Sequence, residues 1–232
     1  YTMTTLEELG LLKMDFLGLR NLTVLEDAAK LVRRREPDFS IDTIPMDDPA
    51  VFDMLAAGKT SGVFQLESAG ITGVCAALRP KSLEDITAVI ALYRPGPMDS
   101  IPTYLRNRHE PDKISYKTPQ LAHILDVTNG CIVYQEQVMQ IFRELAGFSF
   151  GQADNVRRAM SKKKHAVMEA EREHFVHGCT DPGNECPGCV ANGISEKVAN
   201  EIYDEMSSFA SYAFNKSHAA CYAYVAFQTA YL

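Results

Sequence analysis

The stretch that most constrains the fold is the last one, Ala219 to Leu232 (AACYAYVAFQTAYL). It carries no charge and is apolar nearly all round at helical spacing. A helix of that kind has no face to give to water and has to be buried against neighbours. The rest of the chain must therefore supply other helices to cover it. Candidates follow from apolar spacings of three and four. Asn21 to Arg35 is one, with Leu22, Leu25, Ala28, Ala29 and Val32 on one side. A helix started by Asp47-Asp48-Pro49 and stopped by Gly58 is another, as are Ile71–Leu78, Leu83–Tyr93, Gln135–Leu145, Ala166–His177 and Ser195–Met206. Pro119 to Leu125 makes a short helix, and Thr103 to Lys117 is polar and loop-like. Two short runs read as strands instead, Cys131–Tyr134 and Leu11–Leu17. In the second, alternation sets Lys13 and Asp15 on one face. The expected class is mainly α with a few short β-strands.

The 232 residues, 46% of them apolar, are enough for one large domain with a real core. No apolar run approaches the roughly 18 residues of a membrane span. Of six cysteines three stand alone and three cluster, as in a reduced cytosolic protein. The chain opens without a start Met and closes inside a helical pattern, so it is expected to be a piece of something longer.

Within an acidic chain of net charge −7, Arg157, Arg158, Lys162, Lys163 and Lys164 place five positive charges in eight residues. Ser149 and Gln152 have capping-box spacing, which sets a helix start near Phe150. In that helix Ala153, Val156, Ala159 and Met160 share the buried face, and Asp154 lies three and four residues before the arginines and can brace them. Arginine forks suit phosphate oxygens, and lysines act as point charges. An ordinary solvated cationic face is the alternative. Asn215, Lys216, Ser217 and His218 open the last helix, where free N–H groups and the dipole favour phosphate; an ordinary N-cap from Asn215 or Ser217 competes with that reading. Arg94, beside the rigid Pro95-Gly96-Pro97 turn, is either offered to a ligand or caps a helix end. Lys13 and Asp15 could hold a phosphate and a metal, or simply pair with each other. Cys186-Pro187-Gly188-Cys189 with Cys179 and His177 could complete a tetrahedral zinc site, although a single Cys-x-x-Cys is a weak zinc signature.

Six motifs occur in one order: KMDFLGL from Lys13, FQLES from Phe64, YRPGP from Tyr93, YQEQVMQ from Tyr134, RRAM with KKK from Arg157, and FNKSHAA from Phe214. In these the chain closely resembles the C-family bacterial replicative DNA polymerases, the DNA polymerase III alpha subunits, over nearly its whole length. His174 to Asn192 looks like an insertion. The resemblance implies a helical fingers domain that follows the last strand of a palm of beta-type nucleotidyltransferase fold. Residues 1–25 would be the last piece of palm and 26–232 the fingers, with a Cys-containing insertion at 174–192. Asp15 matches the third of three metal-binding aspartates, and Lys13 a lysine facing the nucleotide phosphates. Arg157 and Arg158 match an arginine pair at the triphosphate. Lys216, Ser217 and His218 match a motif lining the nucleotide and primer–template site, with Lys162, Lys163 and Lys164 as DNA contacts. The function implied is DNA-directed DNA synthesis with two Mg²⁺ ions, on primer–template DNA and dNTPs, with replisome subunits such as the sliding clamp as partners of other regions. The other two aspartates have no match here, so the piece is expected to be inactive alone. The competing reading is a non-catalytic helical module, zinc-containing, that grips nucleic acid through the basic helix.

Overall fold

The structure, a computed structural model, describes residues 1–161, 165–210 and 212–232. It falls into two compact units, Tyr1–Ile44 and Pro45–Tyr231.

In the first unit, α1 (Met3–Glu8) and α2 (Arg20–Val32) flank an irregular stretch. Leu25 and Ala29 form the buried stripe of α2, while Leu22 on the expected apolar side is exposed. Arg33 ties down the chain after the helix by donating from Nε to the Phe39 carbonyl at 2.9 Å. Residues 11–19 lie in no helix or strand, where the sequence predicts a strand over 11–17. A strand is held by a hydrogen-bonded neighbour rather than by its own residues. Among the described residues this run has no such neighbour, and Leu12, Phe16 and Leu17 are exposed.

The second unit opens with α3 (Pro49–Ala56), α4 (Ala69–Leu78), α5 (Leu83–Leu92) and α6 (Ile101–His109). Asp48 caps α3 by accepting from Ala50 N at 2.8 Å, with Pro49 at the first helical position as its fixed φ favours. Helix α6 corrects an expectation, since 103–117 reads as polar and loop-like. Pro102 sits in the first turn, where its missing N–H costs nothing. Ile101 and Tyr104 are buried, and Arg108 reaches back to the buried Asp85 of α5 at 2.8 Å. The polar letters of α6 thus face outward while a tertiary ion pair holds it in place.

There follow α7 (Ala122–Leu125), α8 (Gln135–Ala146), α9 (Phe150–Ser161), α10 (His165–His177), α11 (Gly188–Ala191), α12 (Glu196–Ala210) and α13 (Lys216–Tyr231). The predicted capping box opens α9: Ser149 Oγ accepts from Gln152 N at 3.3 Å and Gln152 Oε1 from Ser149 N at 2.7 Å. Ala153, Val156, Ala159 and Met160 are all buried, as the spacing requires. Ala153, Val156 and Met160 enter one apolar cluster with Phe142 and Leu145 of α8, Phe175 of α10, and Ile202, Tyr203 and Met206 of α12. Helix α10, expected to be largely exposed, still buries Phe175 and Val176 there.

Helix α13 packs along α5, whose residues from Asp85 to Leu92 are buried without a break. Ala219, Ala223, Ala226 and Phe227 line that contact, and Phe227 meets Phe52 of α3 edge-on at 5.4 Å between ring centres. The opposite side of α13 is more open than its composition suggests, and Cys221 is exposed. Small alanines bring two helices close over one face, which buries enough without enclosing the whole cylinder. Among the described residues β pairing is confined to two isolated bridges, Tyr134 with Phe214 and Cys179 with Cys186. The helical class holds, and no helix among the described residues is long and apolar enough to cross a membrane.

Candidate nucleotide and nucleic-acid site

The parallel bridge between Tyr134 and Phe214 organises the second unit's main polar site. Gln135 N donates to the Phe214 carbonyl at 2.9 Å, and Gln135 Nε2 donates to the Ala213 carbonyl at 2.8 Å. One residue beyond the bridge on the first chain, and two on the second, a helix begins, so α8 and α13 start side by side. Gln137 in the first turn of α8 turns back and accepts from Val133 N and Tyr134 N at 2.9 and 3.0 Å. That fixes the loop entering the bridge.

The start of α13 has acceptors of its own. Asn215 Oδ1 accepts from His218 N at 2.9 Å, an N-cap. The Glu136 carboxylate accepts from Lys216 N at 3.0 and 3.2 Å and from Asn215 Nδ2 at 2.8 Å. A protein carboxylate therefore occupies the positive end of the helix dipole that the sequence marks as a phosphate position. Lys216 turns inward. Its Nζ makes a close ion contact with Glu84 Oε1 of α5 at 2.6 Å, off the line of a hydrogen bond, and lies 5.3 Å from the centre of the buried Tyr134 ring. Ser217 and His218 are exposed. The His218 ring packs between Phe214, edge-on at 5.3 Å, and Tyr222, tilted at 4.2 Å. The Arg94 guanidinium covers Phe214 at 4.5 Å. Of the two readings of Arg94 the structure favours presentation. It lines a cavity of about 400 Å³ with Gln135, Phe214, Asn215 and His218. Gly96, two residues on, has φ +100, and a Cβ there would run into the Tyr212 ring at 2.4 Å, so only glycine lets this turn close.

Helix α9 joins the same place. Arg157 donates from Nη1 to Gln135 Oε1 at 3.1 Å and from Nε and Nη2 to Asp154 Oδ1 at 3.0 and 2.7 Å. Arg158 reaches the other oxygen of Asp154 at 2.7 Å. The guanidinium hydrogen bond from Arg157, with Arg158 beside it, holds the Asp154 carboxyl below the usual carboxylate range. Arg157 is largely buried, and Arg158 is exposed. A second cavity of about 470 Å³ lies against Gln135, Glu136, Arg143, Phe150, Asp154 and Arg157. Gln135 and Asn215 border both cavities. Four sequence motifs, some 120 residues apart at their extremes, thus meet in one polar corner. The lysines 162–164 lie outside the described residues.

The sequence alone gives no role to Gln135 or Glu136, which couple the helices. Their signal was polar residues opening a helix whose later turns are apolar, but nothing local says that the partner is Phe214 and Asn215. In the first unit, Lys13 Nζ and Asp15 Oδ1 lie 3.5 Å apart with both side chains at least half exposed, an open ion pair.

The proposed zinc set does not assemble. Cys179 and Cys186 exchange N–H···O bonds of 2.9 Å as an antiparallel pair, with Gly178 and Gly188 back to back. A Cβ on Gly188 would lie 2.3 Å from Gly178 N, so the two ends of the excursion touch. Their packing carries the thiols into the hydrophobic cluster, while His177 points out toward Glu173 and Glu196. Among the described residues no three His, Cys, Asp or Glu side chains converge on a metal position. Burial pushes the Cys189 thiol up to about 12 and those of Cys75 and Cys131 up to about 11, where alkylation at neutral pH is suppressed. With a disulfide reagent at pH 8, Cys221 is expected to react promptly and Cys75, Cys131 and Cys189 only after denaturant, with no stoichiometric zinc by metal analysis. Thiols in the cluster that stay closed until a chelator is added would reverse this.

A family model described as the bacterial DNA polymerase III alpha subunit finger domain matches residues 21–183. The chain belongs to that family. It is 47% identical over 238 residues to the DNA polymerase III subunit alpha of Thermus aquaticus, a match covering all of this chain and 19% of that protein. To the DNA polymerase III subunit alpha of Staphylococcus epidermidis it is 46% identical over 233 residues, covering all of this chain and 21% of the relative. The same figures hold for the Staphylococcus aureus protein. The chain thus spans about a fifth of the length of these relatives, and the polymerase III fingers match begins at α2 and runs past α10.

Proposed function

We propose that this chain is the fingers, with the last piece of palm, of a DNA-directed DNA polymerase of bacterial chromosome replication. Residues 1–25 are assigned to the palm and 26–232 to the fingers, with 174–192 as an insertion. The observation that carries the reading is the convergence of Arg157, Gln135 and the Phe214–His218 segment on one corner. A guanidinium fork, a histidine packed between two rings and an exposed aromatic-lined cavity together suit a nucleoside triphosphate. Arg157 and Arg158 take its phosphates, and Ser217 and His218 border its path. Lys216 belongs to the same wall, and a phosphate there has to compete with Glu84 for its ammonium. Lys13 is assigned as a further phosphate contact of the parent.

Asp15 is assigned as one of three aspartates binding Mg²⁺, a hard cation suited to carboxylate oxygens. Two such ions, when bound, polarise the attacking 3′-hydroxyl and the leaving pyrophosphate. One aspartate cannot supply that, so this stretch alone is inactive. What the arginines contribute is fixed positive charge where the transferring phosphate gains negative charge, already in place before reaction. A cytoplasmic location and contacts to the sliding clamp through other regions of the parent go with this assignment.

The full-length protein is expected to extend a primed template with dNTPs and Mg²⁺. Lys164→Ala, removing an outer phosphate contact, is expected to lower the slope of log affinity against log salt by about 0.9 on duplex DNA. A full-length protein that neither binds nor extends primer–template would end the polymerase reading.

A further inference from the structure

The half of the larger cavity away from α13 has no role in the reading above. Its wall is Phe150 in the first turn of α9, with Arg143, Met139 and Gln140 of α8. Phe150 is 64% exposed, although every other apolar residue named on α9 is buried. Its backbone is pinned by the capping box just before it. The Arg143 guanidinium sits 5.8 Å from the ring centre, within cation–π range. An exposed aromatic on a fixed stretch of backbone, with one cationic neighbour, can serve as a stacking shelf.

The polar groups around it are already engaged. The Gln135 amide is used by Ala213 and Arg157, and Asn215 by Glu136 and His218 N. Gln140 Nε2 donates to Glu144 at 2.7 Å, and Glu144 also meets His123. Asp154 is shared by two arginines. With these side chains engaged, the aromatic face of Phe150 is the most open feature of this half of the cavity. Along the same helix, Phe150 precedes Arg157 by seven residues, about 10 Å at 1.5 Å per residue. An aromatic platform with a guanidinium further along the same helix is the pattern of sequence-tolerant single-strand binding.

We infer that Phe150 and Arg143 form a stacking site for an unpaired base of the template strand. The inference rests on the proposed grip of the parent on primer–template. The test uses the full-length protein and fluorescence anisotropy, with a primer–template bearing a single-stranded 5′ template overhang and with the same duplex made blunt. Phe150→Ala is expected to weaken binding of the overhang substrate about 5- to 150-fold, to leave the blunt duplex unchanged, and to be rescued by Phe150→Trp. Equal loss on both substrates, no loss on either, or a rise in dNTP KM with overhang binding intact would overturn it. The last result would move the ring to the incoming nucleotide. If the unmodified protein binds neither substrate, the polymerase reading fails. If it binds both and Phe150→Ala matches it, only the stacking site fails.

Discussion

If the proposed function holds, Arg157→Ala in the full-length protein is expected to lower the kcat of primer extension about 10²- to 10³-fold, or about 3–4 kcal/mol of transition-state stabilisation. The side chain is held from two sides, by Asp154 on its own helix and by Gln135 on α8, so its position costs no rearrangement at the moment of reaction. Preorganised charge of that kind acts on the charge developing in phosphoryl transfer more than on the bound ground state. The loss should therefore fall in kcat, with KM for dNTP changing less. Arg157→Lys should rescue little, because one ammonium cannot meet Asp154, Gln135 and a phosphate with fixed fork geometry. Single-turnover primer extension measures the chemical step directly. An effect below tenfold, or a loss only in KM, would remove Arg157 from the catalytic wall and leave it as a strut between α8 and α9.

The largest stability effect is expected at Phe142. It is wholly buried in the middle of α8 and touches three rings, Phe148 at 5.3 Å, Phe175 at 5.0 Å and Tyr203 at 6.0 Å. These come from the loop after α8, from α10 and from α12, so one side chain joins several elements. Phe142→Ala loses the transfer free energy of the ring and leaves a cavity that helices fixed on several sides cannot close. A cost of about 3–5 kcal/mol is expected, read as a fall in the urea midpoint of the chain. Because α8 carries Gln135 at its start, partial loosening should also reach the Arg157 corner. A cost under about 1 kcal/mol would mean that the cluster collapses around the gap, and that the helices are less tightly fixed than their contacts imply.

Much of this molecule was legible locally. Helix α9 is the clearest example, since its cap, its buried face and the Asp154 brace depend only on residues three or four apart, and a helix brings those together whatever surrounds it. The same holds for the Asp48 cap of α3. Family membership was legible too, from the order of six short motifs. Other features were decided elsewhere in the chain. Helix α6 was hidden because its polar letters say loop, while Arg108 and Tyr104 find partners only once α5 is beside them. The run over 11–17 has the right alternation, but among the described residues it has no neighbour to bond.

The cysteines show the limit most plainly. Their spacing fitted a metal knuckle, yet the Gly178–Gly188 crossing turned the thiols into the apolar cluster and left His177 outside. Likewise the sequence places a helix start at the Asn215–His218 run, but which anion sits there is not a local matter. Glu136 fills it because the Tyr134–Phe214 bridge sets two helix starts side by side. On its own, then, the sequence determined which segments are helices, which of their faces are apolar, and where cationic groups gather. Only the tertiary structure decided which carboxylate meets which N–H and which arginine stays accessible, because those pairings join residues far apart in the chain and form only when the packed helices bring them within hydrogen-bond distance.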